Sequence, residues 1–242
     1  TLKRNNPYIV ISSGPPHICH FLGLLLKFLN KNLWIMDYRD LWNDDPAQLS
    51  KDRVPRKFSL LIERLSIKYS DMVITVSPTW REYLASKYNK VKSDNHFHLI
   101  RNGHNLSANI LSLDKVYSFF NRLHIHYNGV LQELSRNNTF LIAIEKLKTY
   151  LTNTDQYPIF TFTGIDTRMA KEIHSRGLDA FFLDVHYMHY KKSIYLSLNA
   201  DVLLIMVNNE TYIRKGNIPA KFYEAAALGK HIFAILPKNS DI

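Results

Sequence analysis

Cysteine is almost missing from this chain: Cys19 stands alone among 242 residues. No intrachain disulfide is possible, so burial has to hold the fold, and a reducing compartment fits. Glycine is scarce as well, with eight in the chain. None falls in the G-x-G-x-x-G spacing of a dinucleotide-binding turn or in a Walker loop, which removes the NAD and P-loop ATP readings. Long apolar runs are absent. The longest candidate, Phe21 to Leu29, carries Lys27 and stops far short of the roughly 18–20 residues of a membrane span. Thr1-Leu2-Lys3-Arg4 leads into no apolar stretch of the signal-peptide kind. Acidic residues are outnumbered, 21 Asp and Glu against 31 Lys and Arg, for a net charge of +10. That balance suits nucleic acid, an anionic membrane surface or phosphorylated ligands. No helix-turn-helix, RNP or zinc-finger pattern accompanies it, so nucleic-acid binding is the weakest of the three and no nucleic-acid partner is expected.

What is present is a globular composition, 46% hydrophobic and 12% aromatic, with strands and helices in alternation. Apolar runs at Pro7–Ser13, Leu33–Tyr38, Asp71–Val76 and His96–Ile100 read as strands. Between them lie helical patterns at His17–Asn30, Arg56–Ser70 and Pro78–Tyr88. Arg56–Ser70 is amphipathic, with Phe58, Leu61, Ile62, Leu65, Ile67 and Tyr69 spaced for a helix. Ser77-Pro78 is a cap followed by a proline suited to a first helical position. After a less regular stretch a second series begins, with strands at His124–Tyr127, Ile159–Thr163, Ala180–Leu183, Asp201–Val207 and His231–Leu236. Asn128 to Leu131 reads as the exit turn of the first of these. Helices are expected at Thr139–Leu151, Met169–Arg176 and Lys191–Asn199. The expected fold is α/β, two Rossmann-like parallel-sheet domains over residues 1–122 and 123–242.

The most informative stretch is Gly216 to Lys230. Gly216 and Asn217 read as turn and cap, Pro219 as a first-turn proline, and Gly229 as a stop. With the flanking apolar runs it forms a βαβ unit whose helix starts at the carboxyl edge of a parallel sheet. Backbone N–H groups and the helix dipole favour an anion there, and Lys221 adds a full positive charge. Glu224, three residues on, would repel phosphate but can accept two hydroxyl hydrogen bonds from a ribose diol. The plain alternative is a surface Lys–Glu pair.

Four motifs occur in order: Asp37-Tyr38-Arg39-Asp40-Leu41-Trp42; Glu63-Arg64 followed by Tyr69-Ser70-Asp71-Met72-Val73-Ile74-Thr75-Val76-Ser77; Ile100-Arg101-Asn102-Gly103-His104-Asn105; and Ile218-Pro219-Ala220-Lys221-Phe222-Tyr223-Glu224 through Gly229-Lys230-His231-Ile232. In this the chain resembles the family-four glycosyltransferases of GT-B architecture, in which two Rossmann domains face a cleft, and most closely their bacterial surface-polysaccharide branch. The resemblance spans nearly the whole chain and implies that both domains are incomplete, the first lacking its first strands and the second its C-terminal end.

The resemblance implies transfer of a sugar from a nucleoside diphosphate-sugar to a glycan or lipid-linked acceptor, with retention, without a metal or other cofactor. On the donor side it assigns the helix start at Ile218, the phosphate clamp Lys221, the ribose ligand Glu224, Gly129 for close backbone approach, and Arg136 as a second clamp; a solvated loop arginine is the alternative for Arg136. His186 and Tyr187, with Val185, lie where the family contacts the base, although a plain loop fits equally. On the acceptor side stand Pro16 and His17 past the first strand, and Asp37, Arg39, Asp40 and Trp42 past the second. Arg39 and Asp40 are carried with Lys221 as catalytic candidates, Arg39 to hold a lipid-linked phosphate. Trp42 stacks on a sugar or packs as core, and an Arg39–Asp40 or Asp37–Arg39 ion pair is the alternative for the charges. Lys27, Lys31, Lys51, Arg53, Arg56, Lys57 and Lys68 crowd the first third, as peripheral contact with the anionic inner face of the plasma membrane would require of a cytoplasmic enzyme. Eleven histidines invite a metal, but His17/His20, His186/His189, His124/His126 and His96/His98 lack the cysteine or carboxylate company of a zinc site. Two other readings stay open: an inactive nucleotide-sugar-binding fragment and a basic nucleic-acid-binding protein.

Overall fold

The computed structural model describes residues 8–44, 55–107, 110, 121–131, 139–151, 153–207 and 215–242. Two parallel sheets and seven helices are found among them. The chain divides into two compact units, one formed by Thr1–Asn102, Thr211–Ile218 and Ser240–Ile242, the other by Gly103–Glu210 and Pro219–Asn239.

The first unit runs β1 (Ile9–Gly14), α1 (Cys19–Asn30), β2 (Leu33–Tyr38), α2 (Arg56–Tyr69), β3 (Met72–Thr75), α3 (Pro78–Lys87) and β4 (Phe97–Leu99). Its strands lie side by side in chain order, all parallel. Right-handed crossovers that always step the same way put every helix on one face of a sheet. The burial pattern obeys this. Trp34, Met36, Tyr38, Val73, Thr75 and Phe97 point into the helix-covered core, while Ile9, Ile11 and Leu33 on the opposite face are 61%, 65% and 56% exposed. Ser77 caps α3 through the Trp80 N–H.

Two expectations change here. The helix before β2 starts at Cys19 rather than His17. In α2, Phe58 and Leu61 are half exposed, and the buried side is Ser59, Ile62, Glu63, Ser66 and Ile67. A buried carboxylate rotates the helix away from its apolar pattern: Glu63 accepts hydrogen bonds from Tyr38 Oη (2.9 Å) and Asn43 Nδ2 (2.9 Å), with Lys87 Nζ at 3.4 Å. Desolvating a carboxylate is tolerable only with such company.

The second unit runs β5 (His124–Leu131), α4 (Thr139–Tyr150), β6 (Ile159–Ile165), α5 (Thr167–Ser175), β7 (Phe182–Asp184), α6 (Tyr190–Asn199), β8 (Val202–Met206), α7 (Ala220–Ala227) and β9 (His231–Ile235). The sheet order is β7-β6-β5-β8-β9. The winding reverses between β5 and β8, as in nucleotide-binding Rossmann sheets. Its core holds Tyr127, Phe140, Phe160, Phe162, Phe181 and Met206.

Three local expectations change in this unit. Asn128 to Leu131 is not an exit turn. The strand continues through a bulge, its partners passing from Phe162 for Tyr127 to Gly164 for Val130, so β5 spends three residues where β6 spends two. Ala180–Leu183 is a single 3-10 turn, Asp179–Phe181, feeding a strand that begins at Phe182. Pro219 is the cap residue of α7 (φ −66°, ψ 145°), not a member of its first turn, and no side chain caps that helix. Asn217 lies too far ahead to serve. Gly229 does end the helix, at φ +64°, where other residues are strained.

Gly23 tests the packing of the first unit. A Cβ there would stand 2.4 Å from the indole of Trp34, a fully buried ring with no room to retreat. Gly23→Val is expected to cost about 2–3 kcal/mol through overpacking, read as a lower urea midpoint at unchanged slope.

Candidate functional site

Ligands of open parallel sheets bind past the carboxyl ends of the strands where the winding reverses. In the second unit that place lies past β5 and β8, and the sequence brings three of its candidates together there. The β5 bulge carries Gly129, and α7, which follows β8, starts with Ala220 and Lys221. The Lys221 ammonium rests 4.0 Å from the centre of the Tyr127 ring, a cation–π contact. A Cβ on residue 129 would lie 2.8 Å from Lys221 Nζ and 2.8 Å from Tyr127 Cε1. Glycine is therefore what allows the ammonium to reach this point. The first N–H groups of a helix have no intrahelical acceptor, so α7 and Lys221 together present positive potential at one spot.

Glu224 does not pair with Lys221. One helical turn on, its Oε1 accepts the hydroxyl of Tyr190 at 2.9 Å. Burial, then this hydrogen bond, pushes Tyr190 up to about 12, so it stays a donor. The carboxylate is thus held by one oxygen. Tyr190 is a partner of the candidate Glu224 that spacing did not reveal: 34 positions separate the two, and only the fold brings them together.

Further along the edge, His186 takes φ +57° and its N–H donates to Asp184 Oδ1 at 2.6 Å. His186 and Tyr187 are exposed, Tyr187 by 93%. Val185 and Met188 line an open apolar groove of about 450 Å³ with Lys191, Lys192, Tyr195 and Leu196 of α6. Ile218 is buried and belongs to the first unit. Arg136 lies outside the described residues.

In the first unit the residues after β2 separate into two groups. Trp42 is core, 2% exposed, and stacks on the equally buried His17 at 5.5 Å and 16°. Neither ring is available to stack on a sugar, which corrects their acceptor assignment. Asn43 bonds Glu63, and Asp44 pairs with Lys87 at 2.5 Å. The loop is thereby fastened from beneath, and Arg39 stays exposed with Asp40 half-buried beside it. Arg39 forms no ion pair with Asp37, whose Oδ2 instead accepts the Ser13 hydroxyl at 2.7 Å. Pro16 is exposed, its carbonyl accepting the Cys19 N–H. Among the basic residues of the first third, Lys27 is tied to Asp71 at 2.5 Å and Lys68 lies over Tyr69, while Lys51 and Arg53 fall outside the described residues. Among the described residues no group of three or more metal-ligating side chains occurs, and no helix is long and apolar enough to cross a membrane.

Each unit is thus a parallel α/β sheet, as in the two Rossmann-like domains of the GT-B fold. Solved structures of that fold match the chain: sucrose-phosphate synthase of Thermosynechococcus elongatus (15% identity, 93% of this chain and 55% of that one, TM-score 0.54); TarM (13%, 93% and 40%, TM-score 0.60); and the catalytic domain of starch synthase IV of Arabidopsis thaliana, solved with ADP and acarbose (12%, 95% and 56%, TM-score 0.53). The chain spans about half the length of these proteins. Comparison with protein-family models returned no match, and neither did comparison with curated protein sequences.

Three histidines are held neutral in the fold. His20 is kept near 3 by burial and then by His17. His126 is kept near 3 by burial and then by His124. His96 is kept near 4 by burial and then by Lys92. Each value lies below the ordinary 6.5, so the unfolded chain binds protons that the folded chain refuses. Stability is fully present above about pH 6.5 and declines as pH falls toward 3–4. Between pH 6.5 and 5, His20 and His126 should each remove about 2 kcal/mol, at about 1.4 kcal/mol per pH unit. Urea midpoints at the two pH values measure this, and His20→Phe should abolish one share of the slope.

Proposed function

We propose that the chain binds a nucleoside diphosphate-sugar and serves a retaining, metal-independent glycosyl transfer to a glycan or lipid-linked acceptor. The observation that carries the reading is the Lys221 ammonium at the start of α7, lodged beside Gly129 and followed one turn later by a carboxylate held from behind. A diphosphate placed there meets a full charge and a helix terminus, and positively charged groups fixed in advance are what a departing diphosphate needs. Glu224, with Oε1 on Tyr190, keeps Oε2 for ribose hydroxyls. The exposed loop at His186 and Tyr187 offers backbone groups to the base, and Arg136 would add a second cation to the phosphates. The ADP found in the plant starch synthase supports the ligand class. Arg39 and Asp40, presented by the anchored loop of the first unit, are the acceptor-side candidates, with Pro16 and Asp37 beside them. The exposed basic residues of that unit suit peripheral contact with an anionic membrane on the cytoplasmic side.

Thermal shift with ADP, UDP and GDP tests the donor site. A ligand at 100 times its Kd adds about 2.7 kcal/mol, a rise of several degrees for a chain of this size. Lys221→Ala should abolish the rise. Glu224→Gln and Tyr190→Phe should weaken nucleotides several-fold while leaving inorganic pyrophosphate unchanged. Unaltered nucleotide binding by Lys221→Ala would refute the clamp. A shift with no sugar transfer to any acceptor would select the binding-only reading.

A further inference from the structure

Behind Lys221 lies a set of side chains that the reading above leaves unused. His124 and His126 stand two apart on β5, on the same side of the strand, and both are fully buried. They share one hydroxyl. Thr161 Oγ1 on β6 is 2.8 Å from His124 Nε2 and 2.8 Å from His126 Nδ1. A hydroxyl has one hydrogen, so it donates to one of these nitrogens and accepts from the other. The far nitrogen of His126, Nε2, has no hydrogen-bond partner. His126 lines a cavity of about 10 Å³ together with Asn128, Ser197, Lys221 and Glu224, a space the size of one water. The titratable groups facing His126 are His124 from its own strand and Lys221 and Glu224 from α7. Among the described residues, β6, β8 and α6 contribute only Thr161, aliphatic side chains and Ser197 to this lining.

We propose that His126 is a proton-binding site of the donor pocket, neutral when no anion is bound and taking a proton on Nε2 when a phosphate group occupies the position beside Lys221. The anion is then met by two cations, one at the rim and one behind it. Burial disfavours the imidazolium first, with His124 and the Lys221 ammonium adding to it. A phosphate bound at Lys221 offsets that ammonium and supplies the counter-charge that burial denies. The proton comes from solvent. Nδ1 keeps its hydrogen and donates to Thr161, whose own hydrogen turns to His124 Nε2; no other bond changes. In a transfer reaction the extra cation would answer the negative charge that gathers on the departing diphosphate. The proposal rests on the nucleotide reading.

Calorimetric titration of the whole chain with inorganic pyrophosphate, at pH 5.5 in two buffers of different ionisation heat, tests it. Wild type should take up about 0.9 proton more than His126→Gln, whose amide can still bond Thr161. The variant should bind about tenfold more weakly at pH 5.5 and equally at pH 8, a pattern that a merely structural loss would not produce. Equal proton uptake in the two proteins overturns the proposal and leaves the nucleotide reading standing. Failure of wild type to bind pyrophosphate or any nucleotide overturns both. If the variant does not fold, ¹⁵N-histidine spectra of wild type decide. The His126 ring nitrogens should move to the imidazolium pattern on adding pyrophosphate, and unchanged nitrogens overturn the proposal.

Discussion

The contact around which the second unit's candidate site is built is an ammonium lying on an aromatic ring where a side chain would otherwise be. Lys221 reaches Tyr127 because residue 129 is glycine, and residue 129 stands there because β5 carries one residue more than its neighbour. A bulge re-aims a strand end and leaves a backbone segment unpaired. Here it turns a position of the ladder into a bed for a cation. Move the extra residue by one place and Gly129 no longer faces α7, the lysine loses its seat, and the helix start keeps only its dipole.

The first unit solves a different problem, that of holding a polar loop still. Of the residues after β2, Leu41 and Trp42 are core, while the polar ones end on a buried carboxylate. Glu63 collects Tyr38 and Asn43, and Lys87 links it to Asp44. Burial and Glu63 together raise Tyr38 far above its ordinary value, so its hydroxyl remains a donor. Breaking such a network costs several kcal/mol, because the partner left behind stays buried and charged. Trp42 and His17 complete the anchor by stacking, which is why they cannot also serve a sugar. Anchoring below and exposure above are two ends of one arrangement, with Arg39 at the exposed end.

Much of this was legible from the order of residues. The switch between period two and period 3.6 marks most strands and helices, because each element buries one face. The placement of Lys221 and Glu224 at a sheet edge followed from strand–helix alternation, and the family resemblance added Gly129 to them. What escaped was non-local. Tyr190 and Glu224 share no pattern, since their hydrogen bond exists only once α6 and α7 are placed. The turn of α2 toward Glu63 contradicts its own apolar stripe, because a satisfied carboxylate outweighs the exposure of Phe58 and Leu61. The bulge was mistaken for a turn, as Asn-Gly ordinarily suggests; it takes the pairing of Val130 with Gly164 to show that the strand continues.

Among the described residues, one sheet is dressed on a single side. In the first unit Ile9, Ile11 and Leu33 meet water from a parallel sheet, a type found almost only with both faces covered. The thermodynamic signature follows from area. Heat capacity and denaturant slope scale with the apolar surface that unfolding newly exposes. Surface already wetted in the folded state adds nothing to either. The first unit should therefore melt with a smaller heat-capacity step than its residue count implies, and any polypeptide that lies over that face would restore the missing increment.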